Sequence, residues 1–115
     1  MTAKKAIAQA DALRMNTISE EQKYAWLYEL EGRVAEVIGI EIPDNPFPED
    51  GDLLMPAPYE NIYMYYLIAM IDFYNQETGL YMNDMQMFNA LFGEACAWWR
   101  RNNAPEKGKL YWKVM

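Results

Sequence analysis

The sequence predicts an all-α fold: a small bundle of about four helices, carrying a long proline-rich acidic loop and an extended C-terminal tail. Three observations lead to it. Apolar residues recur at helical spacing in four separate stretches. Two of those stretches open on capping signatures. Five of the six prolines fall between Pro43 and Pro58, where the helical period is lost. A chain of 115 residues has room for one core. Residues 1–103 therefore read as one helical domain with the extended loop 41–58 inside it, and residues 104–115 as a tail.

Thr2 is placed to cap a first helix through about Arg14, with Ala6, Ala10 and Leu13 as its apolar face. Asn16 and Thr17 break the pattern. Ser19-Glu20-Glu21-Gln22 forms a capping box, with Ser19 at the N-cap. The helix it opens repeats Leu27, Leu30, Val34 and Val37 and stops near Ile38, where Gly39 supplies a left-handed C-cap. Gly32 inside that helix costs roughly 1 kcal/mol against alanine. Close packing against another backbone would explain it, and so would drift.

The loop that follows mixes prolines with Glu41, Asp44, Glu49, Asp50 and Asp52. Phe47, Leu53, Leu54 and Met55 make it adhesive, so it reads as a contact arm. A third helix is expected from Pro58-Tyr59-Glu60 to about Asn75. Ile62, Tyr63, Tyr66, Leu67, Met70 and Tyr74 form one face, while Met64, Tyr65, Ile68 and Ile71 are apolar on the others. A helix apolar nearly all round is covered on more than one side, so it is central or lies at a subunit interface. Thr78-Gly79 reads as a break or kink. Asn83 and Gln86 then repeat the capping-box spacing and start a fourth helix, with Phe88, Leu91, Ala95 and Trp98 as its core stripe. It ends around Arg101-Asn102-Asn103, ahead of Pro105. In the tail, Leu110, Trp112 and Val114 alternate with polar residues and would share one face of an extended strand.

Charge is unevenly spread. The net charge is −7, yet no Lys or Arg lies between Arg33 and Arg100, a stretch holding eleven carboxylates. From Arg100 onward the sign reverses: Arg100, Arg101, Lys107, Lys109 and Lys113 face only Glu106. Such an acidic body repels a phosphate backbone and makes a poor general nucleic-acid binder. The basic end suits phosphate or an acidic protein surface, or is simply solvated. The longest apolar run, Ile62 to Ile71, is about half of the ~20 residues that a membrane span needs. The N-terminus leads into an amphipathic pattern instead of a signal-peptide core, so a soluble, intracellularly made protein is expected.

Chemistry has little to build on. There is no histidine and a single cysteine, Cys96, so neither a disulfide framework nor a Cys/His zinc site forms within one chain. Cys96 between Ala95 and Ala97 reads as a packed, inert thiol. The glycines are isolated from one another and form no phosphate loop. Glu49-Asp50-Gly51-Asp52 lacks the alternating ligands of a calcium loop, because Pro46, Phe47 and Pro48 precede it. No catalytic, cofactor or metal residue is assigned. The aromatic and methionine stripes of the third and fourth helices are core first and protein interface second.

Several segments resemble the small helical proteins encoded near the capsid genes of siphophages and related prophages, the head–tail connector or DNA-packaging adaptor family. They are Ala6 to Arg14 with Asn16; Ser19-Glu20-Glu21 with Lys23; Trp26-Leu27; and Leu30-Glu31-Gly32-Arg33. Pro56-Ala57-Pro58-Tyr59-Glu60 follows, then Tyr66-Leu67 with Ala69, Ile71-Asp72 with Tyr74-Asn75, Phe88-Asn89-Ala90, and Trp99-Arg100-Arg101. The set runs in order from residue 6 to residue 101. The loop from Ile40 to Leu54 and the tail after Asn103 lie outside it.

The resemblance implies a virion structural protein at the head–tail interface, made in the host cytoplasm. It would be a subunit of a homo-oligomeric ring beneath the portal, touching the portal protein and the next tail or stopper protein, with DNA passing unbound through the channel. The residues then expected to bind partners are Phe47 and Leu54 in the loop, Tyr65 on the third helix, Arg100 and Arg101, and Leu110, Tyr111, Trp112 and Val114 in the tail. Two other classes stay open: a small regulator or inhibitor binding one protein, and an enzyme working with carboxylates alone.

Overall fold

The computed structural model describes residues 1–42 and 51–103. Over these the chain is an all-α bundle of four helices: α1 (Ala3–Leu13), α2 (Glu20–Ile38), α3 (Ile62–Tyr74) and α4 (Thr78–Asn103). Residues 104–115, and Phe47 in the loop, lie outside the described residues, so the expectations placed on them are not addressed by it.

The two caps read from sequence are present. Thr2 Oγ1 accepts the Lys5 N–H, and Ser19 Oγ accepts the Gln22 N–H, which satisfies donors that each first turn leaves free. Gly39 closes α2 with φ at 81°. A Cβ added at Gly32 would meet nothing within 4 Å, so close packing does not account for that glycine.

Three boundaries and faces differ from expectation. Leu13 leaves the α1 core face and is 54% exposed; Ala3, Ala6, Ile7 and Ala10 are the buried set. α3 begins at Ile62, not Pro58, because Pro56 to Asn61 form turns that lead into it. The third concerns the join between α3 and α4. The break lies at Gln76, not at Thr78-Gly79, and α4 is already helical at Thr78, before Asn83. Gln76 takes a left-handed φ of 61°, its N–H donates to the Phe73 carbonyl, and the Glu77 N–H donates to the Asp72 carbonyl at 2.9 Å. This is a Schellman closure built on glutamine instead of glycine.

α3 is the central helix and packs against all three others, most extensively against α4. That position answers its all-round apolarity within one chain: Ile62, Tyr63, Tyr66, Leu67, Ile68, Ala69 and Ile71 are buried. From α4, Phe88 and Ala95 are buried, with Leu91 and Trp98 packed against the core from its edge. Phe88 meets Tyr66 with ring centroids 5.0 Å apart. Leu53 and Met55, read as part of a contact arm, instead lie in the core, Met55 completely so.

Candidate interaction surface at one end of the bundle

α3 outruns the helices that cover it. α1 ends at Leu13 and α2 starts at Glu20, so the last turn of α3 and the first turn of α4 stand clear of the core. Phe73 is 62% exposed, Tyr74 61% and Met82 63%. With Tyr81 and Glu77 they line a groove of about 680 Å³. Phe73 and Tyr81 form one wall, ring centroids 5.3 Å apart. Tyr74 is steadied by an edge contact with the buried Trp26 at 6.5 Å. Met15, 93% exposed, sits beside this end, since its carbonyl accepts from Asn75 Nδ2. Exposed aromatic and methionine side chains on a fixed frame suit protein recognition.

A charged cluster holds the same end together. Arg14 Nε donates to Asp72 Oδ1 at 3.0 Å, and Arg14 Nη2 to Asp84 Oδ2 at 2.9 Å, tying the end of α1 to α3 and α4. Asp72 is fully buried and its Oδ2 has no hydrogen-bond partner. Burial first, and then the neighbouring Asp84, push the Asp72 carboxyl up to about 6, against the pull of Arg14.

A second buried polar group pins the returning loop. Glu31 on α2 accepts the Tyr63 hydroxyl at 2.6 Å and the Leu54 N–H at 2.9 Å, while the Tyr63 oxygen accepts the Met55 N–H at 2.8 Å. Burial raises the Glu31 carboxyl, and the hydrogen bonds from Tyr63 and Leu54 hold it back. Burial and then the Glu31 charge raise the Tyr63 hydroxyl, which therefore stays protonated as the donor. Every polar atom here is engaged in fixing backbone, so the pair is structural.

Of the residues singled out from sequence, Leu54 is half-buried and packs against the core, with its N–H on Glu31. Tyr65 is half-buried along α3. Arg100 and Arg101 are exposed in the last turn of α4, where they complement the negative end of the helix dipole. None of these lines the α3–α4 groove, and the arginines stand at the opposite end of α4 from it. Phe73, Tyr81, Met82 and the Arg14 cluster were not foreseen. Periodicity reports which face is apolar, but not where the covering helices stop.

Cys96 is buried, and burial raises its thiol. Among the described residues, no group of three or more Cys, Asp or Glu side chains is placed to hold a metal ion, and no helix is long and apolar enough to cross a membrane. Compared with family models, curated proteins and solved structures, the chain finds no match.

Proposed function

We propose that this protein acts by binding other proteins, as a structural subunit of a tailed-phage virion: a head–tail connector that forms a ring beneath the portal around the DNA channel. The observation that carries the binding role is the exposed groove of Phe73, Tyr74, Tyr81 and Met82 on a molecule whose own core is already closed. A ring of identical subunits needs two different adhesive surfaces on each one. The groove is one, and the basic, apolar tail supplies the other. The ordered resemblance from Ala6 to Arg101 points to the connector family. The acidic body suits a channel wall along which DNA slides without being held.

The test is co-sedimentation of the purified protein with portal-containing, tail-less phage heads, imaged by negative-stain electron microscopy. An extra ring at the portal vertex is expected. Heads that gain nothing from folded protein at moderate salt would remove the connector role and leave a protein serving a single partner.

A further inference from the structure

The groove at the α3–α4 turn lacks an occupant from the described part of its own chain, and the sequence contains a segment that fits it. In the sequence, Leu110, Trp112 and Val114 occur at every second position, with Lys113 between the last two and Lys109 and Lys107 just before. The groove is walled by Phe73, Tyr74, Tyr81 and Met82, with Glu77 on its rim. Glu77 is its exposed carboxylate, while Asp72 and Asp84 behind it are buried and already bound to Arg14. Apolar surface is thus set against apolar surface, and basic charge against acidic.

Reach decides which copy supplies the segment. The groove lies at the Thr78 end of α4, and the tail leaves from the Asn103 end. At the rise of an α-helix these ends are about 38 Å apart, and the described residues extend 54 Å along their longest axis. A fully extended chain moves at most ~3.6 Å per residue, so Leu110 lies no more than roughly 25 Å from Asn103 and Trp112 no more than roughly 32 Å. The tail would also have to reverse direction to run back along α4. Met82, on the near side of the groove, is about 32 Å from Asn103. Leu110 therefore falls short of its own groove, and Trp112 meets its rim only with the tail fully extended and folded back. The groove of a neighbouring molecule set end to end is reached without that cost.

We infer that residues 109–114 of one copy dock in the Phe73–Tyr81 groove of the next, making a head-to-tail contact between identical chains. Such a contact is heterologous: it closes into a ring or runs on as a filament, according to the rotation between neighbours. One short segment buries less than a standard interface, so each contact is weak alone and gains strength when many close together. The inference rests on the ring reading for its purpose, but not for its test.

The experiment uses two full-length variants. Phe73→Lys spoils the groove and keeps the tail; Phe73 is exposed, and a lysine at the end of α3 suits the helix dipole. Trp112→Ser spoils the tail and keeps the groove. Far-UV circular dichroism and thermal melting check that both fold. In sedimentation velocity, wild type should show concentration-dependent association, weakened about tenfold or more in each variant, as for an interface anchor. Mixing the two variants should restore a heterodimer, because one intact groove then meets one intact tail. A wild type that stays monomeric up to its solubility limit, or variants that do not complement, would overturn the inference. Variants that associate as well as wild type would do so too. The outcome is separable from head binding: rings on phage heads with no tail–groove complementation remove this contact alone, and complementation without head binding removes the connector role alone.

Discussion

At the scale of single residues, the Tyr63 hydroxyl has the most to lose. It donates to a buried carboxylate and accepts a buried backbone N–H, so its removal strands both partners in a site that water does not reach. Leaving a buried polar group unpaired costs about 1–3 kcal/mol. Tyr63→Phe is expected to lower stability by about 2 kcal/mol in urea titration, and to speed hydrogen exchange at the Met55 and Leu54 amides ahead of the rest of the core. Unchanged exchange at these two amides would mean that Glu31 alone holds the segment. Asp72 carries the pH dependence at this scale. Its folded pKa lies above that of a free carboxyl, so the folded state binds that proton more tightly than the unfolded chain. Its contribution is present at low pH and is lost as pH rises from about 4 through 6. Asp84→Asn removes a main cause of the shift. The variant should therefore lose less stability than wild type between pH 4 and 7, by roughly 1 kcal/mol, since burial remains as the larger cause.

At the scale of elements, the turn between α3 and α4 explains what could be read in advance and what could not. The α2 boundaries were legible because Ser19 and Gly39 are the residue types that those backbone positions favour. The same rule misplaced the start of α4. Gly79 looked like the break, but the left-handed residue is Gln76, and nothing in a glutamine announces that conformation. The core stripe of Leu27, Leu30 and Val34 followed from spacing, whereas Leu13 and Tyr74 kept the spacing and still lie exposed, since their helices extend past their partners. The groove was hidden for that same reason. Leu53 and Met55 lie in no periodic element, so their burial depends on the Glu31 and Tyr63 anchors, which sequence spacing does not bring together. Gln76 also yields a prediction. A non-glycine residue in the left-handed region costs about 1 kcal/mol. Gln76→Gly should raise the thermal midpoint, with a gain of about 0.5–1 kcal/mol. A loss would show that the Gln76 side chain at the groove contributes more than its backbone costs.

At the scale of the whole molecule, charge and shape act together. The acid-rich middle of the sequence leaves positive charge to the two ends of α1, to Lys23 and Arg33 on α2, and to the segment from Arg100 onward. Duplex DNA should therefore bind weakly at physiological salt in filter retention, and any retention should disappear on deleting residues 104–115. Retention that survives the deletion would place a phosphate contact on α1 or α2 and count against a sliding channel wall. The two ends of the bundle differ as well, one bearing the aromatic groove and the other Arg100 and Arg101, and that polarity suits a molecule that joins its neighbours in sequence.

The Arg14 cluster has one more consequence. A helix as uniformly oily as α3 has many rotations and slips that hide its surface almost equally well, and greasy contacts alone choose poorly among them. Asp72 is the only charged side chain in α3, and one guanidinium at the end of α1 is fastened to it and to Asp84 on α4. Such a tripod acts as a key in a lock, adding little net energy while admitting one alignment. Filling all three positions with well-packed aliphatic residues should leave the melting temperature close to that of wild type or above it. It should also broaden or multiply the amide resonances of α3, as a once singular arrangement gives way to several.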